Sequence, residues 1–172
     1  MSRPEILRPQ PLRHDHPVQE FDCGDEALNR FLAKFALASE RSHASRTYVA
    51  LHAGEIAGYY SLSVTSVEYE QGSARLKKGL ARHPIPMVLL ARLAVDRQFQ
   101  NRGLGAELLR DACLRAIAVS GQVGVRGVLV HAKHGAARRF YERFDFEPLP
   151  GSESHLCVLM KDLKRIAGSP SE

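Results

Sequence analysis

The residues best suited to do chemistry are Gln100-Asn101-Arg102-Gly103-Leu104-Gly105, set between an apolar, strand-like run and a long amphipathic one. Glycine at 103 and 105 lets a backbone approach a ligand with no Cβ in the way. A helix that opens there offers N–H groups without intrahelical partners and the positive end of its dipole. Arg102 adds a full charge, and the combination suits a pyrophosphate. A bare GxG is only a tight strand-to-helix turn. Here Gln100, a buried strand before and a helix after favour the phosphate reading. A dinucleotide fold does not fit, because GxGxxG is absent and the upstream strands read as a hairpin rather than an opening βαβ unit. A kinase-type P-loop is excluded by the missing GK[ST].

Such a loop works only if a strand and a helix hold it, and the periodicity supplies both. Met87–Val95 is apolar on both faces save Arg92, the mark of a central strand. Gly103–Ser120 reads as a helix, with Leu104, Leu108, Ala112 and Ala116 on one stripe and Leu109, Cys113 and Ile117 beside it. Upstream, Asp22-Cys23-Gly24-Asp25 reads as a helix start, followed by Ala27, Leu28, Phe31, Leu32, Phe35 and Ala36 at helical spacing. From Thr47 the period becomes two. Thr47–Leu51 and Ile56–Val67 then form a hairpin. Ile56, Tyr60, Leu62 and Val64 are expected on its one buried face, with Tyr59, Ser61, Ser63 and Thr65 on the other. A short strand is expected near Ile6-Leu7, and residues 68–86 read as a polar, basic connection. A strand over Gly127–Ala132, a helix over Gly135–Arg143 and a strand over His155–Met160 complete a mixed α/β order. Residues 1–164 are expected to form one domain and 165–172 a frayed tail.

Composition narrows the setting. A chain of 172 residues suffices for one well-buried core. Hydrophobic content of 44% with 25% charged residues is that of a soluble globular protein. No apolar run approaches the ~20 residues that span a membrane, and MSRPEILRPQPLRHDH has no apolar core of a secretory signal. Cys23, Cys113 and Cys157 lie far apart, which argues against a disulfide framework and against any metal site, and points to a reducing cytoplasm. The formal charge is +5 and the pI about 9.3. Arg75, Lys77, Lys78, Arg82 and His83 crowd one segment, and Arg138, Arg139 and Arg143 another. Such clusters suit an anionic partner, the alternative being a solvated basic surface.

The loop and the strand before it resemble the Q/R-x-x-G-x-G/A segment of the GNAT acetyltransferase superfamily. The resemblance covers roughly residues 20–161 and implies that superfamily's acyl-CoA N-acyltransferase fold, a mostly antiparallel central sheet flanked by helices. It implies acetyl-CoA as co-substrate, with Leu93-Ala94-Val95 along the pantetheine arm and Gln100 through Ala106, that is Gln100, Asn101, Arg102, Gly103, Leu104, Gly105 and Ala106, around the diphosphate. Phe140-Tyr141-Glu142-Arg143-Phe144-Asp145-Phe146 resembles the superfamily's FYxxxGF segment, with Asp145 where glycine is usual. Aspartate tolerates left-handed backbone angles better than most residues. Acetyl transfer to an amine expels a thiolate, which a nearby tyrosine hydroxyl can protonate. The resemblance gives that role to Tyr141, whose residue-level alternative is an aromatic packed in the core.

Met87–Val95 carries no carboxylate to serve as a base, although Glu68, Glu70 or a water could. At pH 7 roughly one peptide α-amine in ten is neutral, against about one lysine in a few thousand. A site without an evident base therefore suits an α-amine. A narrower resemblance agrees. Phe21-Asp22-Cys23-Gly24, Leu28-Asn29-Arg30-Phe31-Leu32, Ala57-Gly58-Tyr59-Tyr60-Ser61-Leu62-Ser63, and Ile85-Pro86 with Leu90–Asp96 are similar to the GNAT toxins of bacterial toxin–antitoxin modules. That resemblance implies acetylation of aminoacyl-tRNA, a homodimer and a ribbon-helix-helix antitoxin. Arg75, Lys77, Lys78 and Arg82 would then meet the tRNA backbone. Arg92 is either paired structurally or turned to the substrate cleft. An ordinary acetyltransferase of small amines or protein N-termini, and a non-catalytic acetyl-CoA-binding module, stay open as alternatives.

Overall fold

The computed structural model describes residues 5–168. Among the described residues, seven strands form one mixed sheet in the order β1-β2-β3-β4-β5-β7-β6. They are β1 (Gln10–Pro11), β2 (Arg46–His52), β3 (Glu55–Val67), β4 (Ile85–Val95), β5 (Gly127–His131), β6 (Glu147–Pro148) and β7 (His155–Leu159). Helices are α1 (Glu26–Arg30), α2 (Ala36–Arg41), α3 (Ala74–Lys77), α4 (Leu104–Ser120), α5 (Gly135–Glu142) and α6 (Met160–Gly168). β4 and β5 run parallel; β1–β2, β2–β3, β5–β7 and β6–β7 are antiparallel. This is the mixed, mostly antiparallel architecture expected. No described helix is long and apolar enough to cross a membrane. The chain divides into two compact units, residues through Ser63 with Ala91–Ala112, and Val64–Leu90 with residues from Cys113 on.

In the first unit, Asp25 caps α1 by accepting from the Ala27 and Leu28 N–H groups. The expected single helix is broken by a π-turn at Phe31–Phe35, closed by the Ala36 N–H on the Phe31 carbonyl. Phe31, Leu32 and Ala36 pack with Val49, Leu51, Ile56 and Tyr59, and the Tyr59 hydroxyl donates to the Leu28 carbonyl at 2.7 Å. The hairpin differs from expectation. Ile56 through Leu62 are all buried, whereas Val64 is 72% exposed. A strand between two others, with both faces covered, has no solvent side to alternate toward. Expected near Ile6-Leu7, pairing is reduced to a bridge from Ile6 to His52 and a Leu7 N–H bond to Leu51. Asp111 of α4 is buried, accepts from the Tyr60 hydroxyl and meets Arg8 Nε at 3.4 Å.

The second unit packs Val67, Leu76, Ile85, Met87, Leu129 and Cys157 into one cluster. The 68–86 connection is more ordered than its composition suggests. It carries a 3₁₀ turn at Tyr69–Gln71 and then α3. Ser73 caps α3, and Arg126 donates to the Leu76 and Lys78 carbonyls at 3.1 and 2.9 Å. Four residues are too few to show a helical period, so only such partners reveal the element. Asp145 takes φ +65°, the left-handed angle that the usual glycine would supply. Met160 begins α6 rather than ending β7, and α6 includes residues 165–168 of the expected tail. The rest of that tail, 169–172, lies outside the described residues.

Gly127 marks the tightest approach of β5 and β7. A Cβ there would collide with the Val158 carbonyl and lie 3.2 Å from Leu159 Cα. Gly127→Ala must therefore force the ladder apart, at a cost of about 3 kcal/mol, the upper end for overpacking. Urea unfolding checks this; a wild-type midpoint would mean that the ladder yields freely.

Candidate active site

The first unit builds the phosphate loop. β4 ends at Val95, a short 3₁₀ turn spans Arg97–Phe99, and Asn101 and Gly103 take φ +63° and +82° before α4 begins. The backbone reverses on those two left-handed residues. The Glu107 N–H bonds the Gly103 carbonyl at 3.2 Å, so the N–H groups of residues 103–106 precede the helical ladder. Gln100, Asn101, Arg102 and Gly103 are exposed, Gly105 and Ala106 half-buried, and Leu104 is buried as the anchor of the first turn. Arg102 stands 5.7 Å from the Phe99 ring centroid. An exposed cation, a side-chain-free approach and four N–H groups at a helix start fit a diphosphate. Leu93 and Val95 are half-buried on either side of buried Ala94.

What holds the loop is a network that residue types alone do not single out. Gln100 points its amide inward, donating to the Val95 and Cys23 carbonyls at 2.9 and 3.0 Å. Asp96 accepts from the Asp22 N–H and, at the head of the 3₁₀ turn, from the Gln98 N–H, both at 3.0 Å. Asp22 Oδ1 in turn accepts from the Gly24 N–H at 2.9 Å and the Asn29 amide at 3.0 Å. Those two donors, with Arg97 beyond them, hold the Asp22 carboxyl below the usual carboxylate range. The Phe21–Gly24 block thus ties the entry of α1 to the base of the phosphate loop. Its readable signal is the Asp22-x-Gly24 spacing of an Asx turn.

The second unit supplies Tyr141 on α5, a helix capped by His134, whose Nδ1 accepts from the Ala137 N–H at 3.2 Å. Tyr141 is 8% exposed, and its ring packs on Phe140 and Phe146 at 5.2 and 5.4 Å. Burial, and then the Cys113 thiol, push the phenol well above its ordinary value. It is therefore protonated throughout the range in which enzymes work, a donor and never a base. In the same unit β4 and β5 pair only over Val88–Leu90 and Val128–Val130, although β4 runs on to Val95.

The basic residues divide by their partners. Arg75 is engaged with Asp162 at 2.9 Å and Glu147 at 3.2 Å. Arg82 lies 3.7 Å from Glu70 and 6.0 Å from the Tyr69 ring, and Lys77 Nζ stands 5.1 Å over the same ring. Among the described residues no acidic group pairs with Lys77 or Lys78. Arg138 binds Glu142 at 2.8 Å and the Glu153 carbonyl at 2.7 Å, and Arg143 lies against Phe140. Arg92, in the first unit, stacks its guanidinium 3.5 Å from the Phe31 ring centroid. Sequence reading misses a cavity of about 370 Å³ in the second unit, floored by Val67, Leu129 and Leu149 and edged by Gln71, Ser152 and His155.

Residues 43–148 match the acetyltransferase (GNAT) domain. The chain is 42% identical over 151 residues to the tRNA-acetylating toxin of Mycobacterium tuberculosis, covering 88% of this chain and 90% of that protein. It is similar to AtaT complexed with acetyl-methionyl-tRNAfMet, with a TM-score of 0.87 and 31% identity over 94% of this chain and 99% of that one. A tyrosine-to-phenylalanine mutant of AtaT, bound to acetyl-CoA and the C-terminus of the antitoxin AtaR, matches with a TM-score of 0.80. There identity is 32% over 94% of this chain and 97% of that one. A phosphate loop at the start of α4, a parallel pair that stops short and a match over more than half the residues converge, and the chain belongs to the GNAT acetyltransferase family.

Proposed function

We propose that this protein is a toxin that transfers the acetyl group of acetyl-CoA to the α-amino group of an aminoacyl-tRNA and so blocks translation. The observation that carries the reading is the 42% identity to a tRNA-acetylating toxin along 88% of the chain. Acetyl-CoA supplies the acetyl group as an activated thioester. The N–H groups of residues 103–106 and Arg102 bind its diphosphate, and the end of β4 lines the pantetheine arm. Tyr141 keeps its proton until the sulfur leaves and then donates it. Residues 1–164 serve as one catalytic domain, working as a homodimer in the cytoplasm. A ribbon-helix-helix antitoxin neutralises it, in keeping with the AtaR-bound AtaT structure.

The tRNA backbone meets the Lys77–Lys78 side of the basic segment, where neither charge is spent on an acidic partner. Reversing both should therefore leave the fold intact, weaken tRNA binding and flatten its salt dependence by about 0.7–0.9 for each phosphate no longer neutralised. Purified protein, labelled acetyl-CoA and charged tRNA at two salt concentrations test both statements. Label on the aminoacyl-tRNA is the expected result. Label only on small amines or peptide N-termini would replace the toxin reading with that of an ordinary acetyltransferase. Equal salt slopes for variant and wild type would shift the tRNA-binding face to Arg138, Arg139 and Arg143.

A further inference from the structure

An α-ammonium must lose a proton before its nitrogen can attack, and Tyr141 cannot take it. The second unit offers another group. His155 opens β7 and lines the 370 Å³ cavity, a size suited to one small organic group. Its Nδ1 is 2.9 Å from the Ser152 hydroxyl, which also accepts the His155 N–H at 3.1 Å. The ring stacks on His131 with centroids 4.7 Å apart and planes at 16°. His131 follows Val130, the last residue of β5 paired with β4, so the two imidazoles stand where the parallel pairing ends.

We propose that the cavity seats the side chain of the acceptor amino acid, and that His155 Nε2 removes the proton from its α-ammonium. The inference rests on the acetyl-transfer reading above. With Nδ1–H donated to Ser152, Nε2 keeps its lone pair for the incoming proton. The floor of Val67, Leu129 and Leu149 takes an apolar side chain, while Gln71 and Ser152 give its polar atoms partners. His131 of β5 faces His155 directly, Lys133 beyond β5 acts on His131, and Arg138 of α5 holds the Glu153 carbonyl two residues before His155. Thr65 and Ser66 of β3 bring hydroxyls and no charge. Burial first, then the charges of His155 and Lys133, hold His131 below the ordinary imidazole value. That shift disfavours a second positive charge beside a partner that must accept one.

The step balances. The ammonium gives one proton to His155, and the freed nitrogen bonds the acetyl carbon. As the carbon–sulfur bond breaks, Tyr141 gives its proton to the thiolate, the nitrogen sheds its second proton to solvent, and solvent returns one to the Tyr141 phenolate. His155 then releases its proton to solvent.

The test compares wild type with His155→Gln on charged tRNA and on a peptide with a free N-terminus, near pH 6.5 and pH 9. An α-amine is mostly protonated at the lower value and mostly neutral at the higher. The variant should lose on the order of 10²-fold in kcat/KM at the lower pH and recover to within about threefold at the higher. Equal loss at both, or none at either, would overturn the proposal. Acetyl-CoA affinity should be unchanged; should the variant fold poorly, Ser152→Ala should give the same pH-selective loss, more weakly. Nitrogen-15 shifts of His155 at neutral pH should report the Nδ1–H tautomer, and an Nε2–H tautomer would sink the idea without any turnover measurement. A wild type that labels the peptide alone overturns the tRNA reading and leaves this comparison standing.

Discussion

Gly103→Glu is expected to weaken acetyl-CoA binding by at least about 100-fold, roughly 2.8 kcal/mol, in a protein that remains folded. A Cβ at position 103 meets nothing within 4 Å, so the new side chain clashes with no neighbour. Its backbone cost is that of holding a non-glycine residue at φ +82°, about 1–2 kcal/mol. The carboxylate, however, sits at the N-terminus of α4, where it satisfies the N–H groups that a diphosphate would use. It acts as a tethered competitor as well as a like charge. Gly103→Arg carries the same backbone cost but a charge of opposite sign, and should retain markedly more affinity. Calorimetric titration of both variants measures the difference. A folded glutamate variant with wild-type affinity would remove the loop from the cofactor site.

Tyr141→Phe should lower turnover by roughly 10²–10⁴-fold, the range of general acid–base catalysis, while acetyl-CoA affinity and stability hold. The substitution deletes one hydroxyl and keeps the ring that packs on Phe140 and Phe146. Because burial holds the phenol above its ordinary value, the tyrosine does not titrate between about pH 6 and pH 9. The loss should therefore be the same across that interval, unlike the acid-selective loss expected at His155. Steady-state kinetics at three pH values separate the two residues. Near wild-type turnover would return Tyr141 to a packing role.

The sequence is legible where one element carries its own signal. The apolar run of β4, the two glycines and the stripe of α4 stand close together in the chain, and the loop they frame is found where expected. Asp145 is readable for a similar reason, since few side chains other than glycine's tolerate its backbone angle. Legibility fails where a residue's role is fixed by a partner distant in the chain. Residue type turns Gln100 toward phosphate, but its amide is taken by carbonyls at Val95 and Cys23. Proximity groups Arg75 with Lys77 and Lys78, yet two carboxylates more than seventy residues away engage it. The second face of β3 is misjudged because alternation shows polarity, not what lies above the strand. His155 gives no signal at all. One histidine at a strand start is unremarkable until Ser152, His131 and the cavity surround it.

The π-turn at Phe31–Phe35 makes the first helix intolerant of length. An α-helix advances 100° per residue, so the wide turn shifts the angular phase of everything after it by about one residue. Phe31 faces Tyr59 and Arg92 on one side of that shift. On the other, Glu40 closes on the Thr47 N–H at 2.7 Å and on Arg46 at 3.1 Å, fixing where β2 begins. Deleting one residue from this turn would heal it into a regular helix without removing any core side chain. It would also swing Glu40 about 100° around the axis, away from the strand it starts. Homologues with a shortened helix here must therefore open β2 by some other means.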